Sequence, residues 1–194
     1  REIDLGHATV RATRITYVGE LGWELYVPTE FAVGVYELLT EAGQEYGLAN
    51  AGYYAINSLR LDKAYRAWGA ELTPDHNPVE AGLLFACKLG TGIPFLGRDA
   101  VERAKAEGPR RRLVSFVLDD PEPMMWGGEL VLADGAAVGQ VTSAAWSRTC
   151  GACVALAYVW RRDGAAVTRD DLAGRRYQIG IGGEGHPATL HLRP

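Results

Sequence analysis

The sequence predicts an α+β fold in two parts, a mixed strand and helix region over residues 1–108 and an all-β region over residues 109–194. Three observations carry this. Stretches with a period of two and stretches with helical spacing follow each other before residue 108. Gly108-Pro109 then punctuates the chain as a boundary does. Beyond it, strand-like runs recur at regular spacing between Gly and Asp turns, as in a small barrel or sandwich.

Thr13–Tyr17 and Trp23–Val27 alternate in polarity around Gly19-Glu20-Leu21-Gly22, which predicts two short strands joined by a tight turn. After Pro28, Thr29 is placed to cap a helix on which Phe31, Val35, Leu38 and Leu39 recur until Gly43 or Gly47. A second helix is expected from about Gly52 to Tyr65, with Ile56, Leu59 and Lys63 three and four apart. The breaker-rich loop Thr73–Pro78 follows, and a third short helix opens at Gly97-Arg98-Asp99 and runs through Ala106. Strands are expected at Arg112–Leu118, Glu129–Leu132, Ala137–Thr142, Val154–Val159 and Arg176–Ile181, with Gly180–Gly185 as a glycine-rich turn.

Composition narrows the function classes. Hydrophobic residues make up 47% and charged residues 23%, enough for a packed core without the marks of disorder. The net charge is -4 and the basic residues are spread out apart from Arg110–Arg112, so no stripe suited to a phosphate backbone is present and no nucleic acid is expected as partner. The longest apolar runs, such as Ala152–Trp160, fall short of the roughly 20 residues a membrane helix needs, and no membrane is expected either. Three scattered cysteines suit a reducing compartment and predict a cytoplasmic setting. The chain opens at Arg1 in what reads as mid-domain sequence, so residues upstream are expected.

Tyr17-Val18-Gly19-Glu20-Leu21-Gly22-Trp23-Glu24 resembles the Y-x-G-E-x-G-x-E signature of the aminomethyltransferase (glycine cleavage T-protein) family. The resemblance continues through Ser58–Lys63, Tyr65–Leu72, Pro78–Leu83, Phe95–Arg98, Val138–Ser143 and Leu156–Val159, nearly the whole chain. The Lys63-x-Tyr65-Arg66-x-Trp68-Gly69 form is more like the folate-binding module of dimethylglycine and sarcosine dehydrogenases than a free-standing T-protein. It implies the rear part of a T-protein-like folate-binding domain over 1–108, followed by a small C-terminal β-barrel over 109–194. The implied activity is tetrahydrofolate-dependent one-carbon transfer, with a small methylated amine or aminomethyl donor. FAD would belong to an upstream domain outside this chain, and a missing N-terminal segment or partner subunit is implied. The alternative is a non-catalytic folate-binding or assembly module.

The resemblance implies cofactor contacts residue by residue. Glu24 matches the glutamate that anchors the pterin, whose edge of N–H donors one carboxylate can accept in pairs. Tyr17 matches an aromatic lining the same cavity, and Glu20, between two turn glycines, is a secondary candidate. Arg60 and Arg66 are candidates for the carboxylates of the glutamyl tail, although six residues apart on one helix they would not share a face. A salt bridge with Asp62 or Glu71 is the structural alternative for either arginine. Ile56-Asn57 stands where T-proteins carry an Arg-Asp pair, which counts against glycine cleavage itself. The family's catalytic aspartate lies upstream, so no catalytic residue is assigned.

Other constellations carry less. Cys150 and Cys153 have C-x-x-C spacing without a second pair or a helix start, which predicts neither zinc nor redox chemistry. The histidines lack ligand spacing, and His76, inside the proline-bounded loop, is the one placed to matter.

Overall fold

The computed structural model describes residues 1–192. It divides into two compact units, residues 1–60 and the chain from Leu61 on, with the division falling inside a helix. Mixed helices and strands are followed by a closed barrel, as the sequence predicts.

In the first unit, β1 (Glu2–Leu5), β2 (Ala8–Thr13) and β3 (Glu24–Tyr26) form an antiparallel sheet in that order. Alternation sends Ala8, Val10 and Ala12 inward and Thr9 and Arg11 outward. α1 (Ala32–Gly43) lays Val35 on the inner face, where Ile3, Leu5, Leu25 and Val27 complete a small core. Gly47, at φ 70°, ends this helical stretch by letting Leu48 N–H return to the Gly43 carbonyl at 3.0 Å. α2 (Tyr53–Asp62) follows.

Two local expectations are corrected here. β2 and β3 do pair, but β2 stops at Thr13 and residues 14–23 form a loop rather than a tight turn. The loop folds on itself: Val18 N–H donates to Thr16 Oγ1 at 3.2 Å, and a Cβ on Gly22 would lie 3.1 Å from that of Thr16. Thr29 does not cap a helix. Pro28, with its fixed φ, takes that position, and Phe31 N–H closes a 3-10 turn onto its carbonyl at 3.0 Å.

In the second unit, α3 (Arg98–Glu107) precedes six strands, β4 (Arg111–Leu118), β5 (Leu130–Ala133), β6 (Ala136–Ser147), β7 (Ala152–Trp160), β8 (Tyr177–Ile181) and β9 (Glu184–His191). They close in the order β4-β7-β6-β5-β8-β9, every pair antiparallel. The sequence yielded five of them. β9 is the sixth, because the glycine-rich run turns only at Gly182-Gly183 while Gly180 and Gly185 are a paired rung. A four-residue helix, α4 (Arg169–Leu172), was also unforeseen. Its start is a capping box in which Thr168 and Asp171 satisfy each other's main-chain N–H.

β7 explains its own apolar run. Cys153, Ala155, Ala157 and Val159 fill the barrel with Phe116, Val131 and Ile179, while Val154, Leu156 and Tyr158 point outward and are covered by Leu61 and Ala64. A strand buried on both faces has no polar alternation to show. Gly139 on β6 is required by packing, since a Cβ there would meet the Tyr158 carbonyl at 2.6 Å.

Candidate functional site

The outward face of the three-stranded sheet places Glu24 at the start of β3, opposite Thr13, and Tyr26 two residues on, opposite Arg11. Both are exposed. The Tyr26 hydroxyl donates to Glu24 Oε2 at 2.9 Å, and Glu24 Oε1 accepts no hydrogen bond from another described residue. Holding that carboxylate pushes the Tyr26 phenol above its ordinary range. The hydrogen bond is the main cause and the carboxylate charge the next, with Arg11 pulling the other way. The outcome is an exposed carboxylate braced on one oxygen and open on the other, suited to accepting N–H groups from a ligand.

Tyr17 and Glu20 lie in the adjoining loop, Tyr17 at 38% exposure and Glu20 exposed. Leu21 and Trp23 of the same loop are exposed as well. The loop thus brings an aromatic, a second carboxylate and apolar surface into the chain segment that leads into Glu24.

Arg60 is the last residue of this unit and is only 2% exposed. Its Nε and Nη2 both donate to Asn57 Oδ1, at 2.9 and 2.8 Å. The departure Ile56-Asn57 therefore has a structural role, because Asn57 supplies the acceptor that holds Arg60 one turn later. Arg66 belongs to the second unit and lies beyond α2, which ends at Asp62, so the two arginines are not on one helix. Arg66 Nε donates to the Ala81 carbonyl and Nη1 to that of Ala64, both at 3.0 Å, and burial lowers its pKa.

A polar cluster in the second unit brings together Glu71 and His76, which the sequence analysis names separately, with Thr142, Tyr158, Glu80 and Arg111, which it does not single out. Glu71 is fully buried, its carboxylate accepting from Ala67 N–H at 2.8 Å and from Thr142 Oγ1 at 2.6 Å. A register shift in β6 between Val141 and Ser143 accompanies Thr142, which reaches both Glu71 and the Leu156 carbonyl. His76 stacks on Tyr158 with ring centroids 4.0 Å apart, and Arg111 stands over the same phenol while pairing with Glu80 at 3.4 Å. Burial, and after it the Glu80 charge, push the Tyr158 hydroxyl up to about 12. Glu71, Glu80 and Tyr158 all sit inside stretches that carry the family resemblance, which was the available signal. Spacing could not show that they meet.

Among the described residues, no group of three or more His, Cys, Asp or Glu could hold a metal ion, and no helix is long and apolar enough to cross a membrane. Cys87, Cys150 and Cys153 are free thiols.

Comparison with known proteins accounts for both units. Residues 1–91 match the family model described as the GCVT N-terminal domain, and residues 111–194 match the glycine cleavage T-protein C-terminal barrel domain. The chain is 43% identical over 188 residues to mitochondrial sarcosine dehydrogenase of Mus musculus, covering 97% of this chain and 20% of that protein. It is 39% identical over 196 residues to mitochondrial dimethylglycine dehydrogenase of Homo sapiens, covering all of this chain and 22% of that one. The chain thus spans about a fifth of the length of these relatives. The crystal structure of the glycine cleavage system aminomethyltransferase T from Bartonella henselae shares the fold. Its TM-score is 0.76 at 24% identity, over 96% of this chain and 49% of that one.

Proposed function

Because the chain belongs to the glycine cleavage T-protein family, we propose that it forms the rear of a tetrahydrofolate site within a larger one-carbon transfer enzyme of the sarcosine or dimethylglycine dehydrogenase kind. The observation that carries the reading is Glu24, exposed, braced by Tyr26 and open on Oε1.

In this reading Glu24 accepts the paired N–H donors of the pterin edge, a charge-assisted contact that fixes the ring's orientation. Tyr26 keeps the carboxylate in one rotamer, and Tyr17 offers the ring an aromatic face. Glu20 is a secondary contact at the loop. Arg60 and Arg66 would reach the glutamyl carboxylates only by exchanging the acceptors they now hold, so each is a weaker anchor than its charge suggests. Bound tetrahydrofolate supplies the nucleophilic nitrogen that takes up a one-carbon unit from a small methylated amine or aminomethyl donor. This chain contributes orientation, which can remove much of a barrier when reacting atoms are held in line.

The catalytic aspartate and any FAD belong, in this proposal, to upstream segments of the longer polypeptide. The functional boundary is placed at 108/109, between the folate-binding part and the barrel. A reducing, cytoplasmic setting is proposed on the free thiols.

Calorimetric titration of the full polypeptide with tetrahydrofolate tests the reading, with Glu24→Ala beside it. Saturable binding that the substitution weakens supports it. Binding that ignores Glu24, or no binding at all, overturns it. Binding without one-carbon turnover would assign the chain to a non-catalytic folate module.

A further inference from the structure

The second unit holds a concavity that plays no part in the folate reading. β8 and β9 pair from Ile181↔Glu184 to Tyr177↔Ala188, where β8 begins. β9 runs on to His191 paired with β4 alone, while Gly174–Arg176 leave the sheet toward α4. The gap between these diverging segments is an open cleft of about 1130 Å³. Tyr177, Ala188 and Leu190 form part of its apolar wall, and all three pack against the barrel core. Arg169, Arg175 and Arg176 also line it.

The three arginines are the unusual feature. Among the described residues, none of their guanidinium groups donates a hydrogen bond or stands in an ion pair. Arg175 is half-buried, so it has given up part of its hydration, and although its charge acts on Asp171 no described carboxylate forms an ion pair with it in return. The neighbouring acids do not fill that role. Asp171 is taken by Arg161 and by the N–H and hydroxyl of Thr168. Asp119 accepts from the Thr189 hydroxyl at 2.9 Å. Among the described residues, no guanidinium comes within ion-pair distance of Asp134, which also lines the cleft. An apolar wall with a few convergent polar groups is the usual form of a small-molecule site.

We propose that this cleft binds a small molecule bearing two or more carboxylates on an apolar frame. The guanidinium fork matches a carboxylate two bonds at a time, and three forks lining one cleft suit a ligand with several carboxylates better than one with a single carboxylate. Asp119 and Asp134 in the same cleft disfavour a compact dianion such as phosphate, whose charge is concentrated at one point.

The test is calorimetric titration of the protein at constant ionic strength with citrate, glutarate, acetate and inorganic phosphate. Arg175→Gln/Arg176→Gln is titrated beside it, and Arg103→Gln/Lys105→Gln, at two exposed positions of α3, controls for the loss of two charges. The expected result is saturable binding of citrate or glutarate, tighter than acetate or phosphate by about tenfold or more, and weakened at least about tenfold in the double variant but not in the control. Where thermal melting shows that the double variant no longer folds, the single Arg169→Gln variant carries the same comparison. Absence of saturable binding, phosphate binding as tightly as citrate, or equal loss in the control would overturn the proposal.

Discussion

The Tyr158 hydroxyl donates to the main-chain carbonyl of Glu71 at 2.9 Å, so a strand of the barrel wall holds the segment that carries the buried Glu71 carboxylate. Both groups are buried, and neither finds water in exchange if the other is removed. Tyr158→Phe keeps the ring beneath His76 and deletes only the donor. It is expected to lower the unfolding free energy by about 1–3 kcal/mol, the cost of a stranded buried carbonyl. Urea unfolding of the two proteins measures this; an unchanged midpoint would mean that the bond contributes nothing net.

His76 lies on that same ring, and its Nδ1 is buried with no partner among the described residues. Burial, and then the Arg111 charge, lower its pKa below the usual 6.5, against the opposing pull of Glu80, Asp75 and Glu71. The folded protein therefore binds a proton at His76 less readily than the unfolded chain does. As pH falls through 6.5 toward the lower folded value, the unfolded state gains the proton first and stability drops. Above 6.5 the contribution is fully present. His76→Phe retains a flat ring on Tyr158 and removes both the titration and the stranded nitrogen. Its loss of stability between pH 7.5 and about 5.5 should be smaller than that of the parent protein. Parallel slopes for the two proteins would remove His76 from the pH response.

Arg98 gathers the loop ahead of α3. Its guanidinium donates to the carbonyls of Leu89, Thr91 and Ile93 at 2.6, 2.9 and 3.3 Å and to Glu102 Oε1 at 2.9 Å. The loop has little apolar burial of its own, with Phe85, Ile93 and Leu96 all exposed. Arg98→Ala is expected to speed amide exchange across residues 89–93 by about tenfold or more while leaving the barrel strands unchanged. Arg98→Lys should fall between the two, because an ammonium keeps the charge near Glu102 without the planar fork.

How much of the fold and the site was legible in the sequence follows from what each feature depends on. α1, α2 and α3 were visible because their apolar spacing is local, and Gly108-Pro109 marked the start of the strand series for the same reason. The tight turn after Tyr17 failed because β2 ends at Thr13 and the loop closes through the Val18 N–H to Thr16 Oγ1 bond and the close approach of Gly22 to Thr16, which strand alternation does not reveal. β9 was hidden by its own composition, Glu184-Gly-His-Pro, where pairing with β4 and β8 overrides weak strand propensity. Glu24 came from a motif, and only the structure shows Tyr26 holding it. The Glu71, His76 and Tyr158 cluster joins residues 71, 76 and 158 through the barrel wall, a distance in sequence that no spacing rule bridges.

Tyr26 also offers a direct readout of the carboxylate at the proposed pterin anchor. Its phenol titrates above the ordinary range chiefly because it donates to Glu24 Oε2. Glu24→Gln removes the charge and weakens that bond, so the Tyr26 ionisation followed by absorbance should fall back toward the usual 10. Tyr26 is exposed, and no change in stability is expected to accompany it. The same substitution should weaken tetrahydrofolate binding by about tenfold to a hundredfold, as expected when a charge-assisted pair of bonds becomes a neutral one. Tyr26→Phe separates the two roles of the site. It leaves the carboxylate in place and removes its brace, so binding should weaken by only about twofold to fivefold, at the scale of one exposed hydrogen bond. If Tyr26→Phe weakens binding as much as Glu24→Gln does, the tyrosine touches the ligand itself and is an anchor in its own right rather than a brace for Glu24.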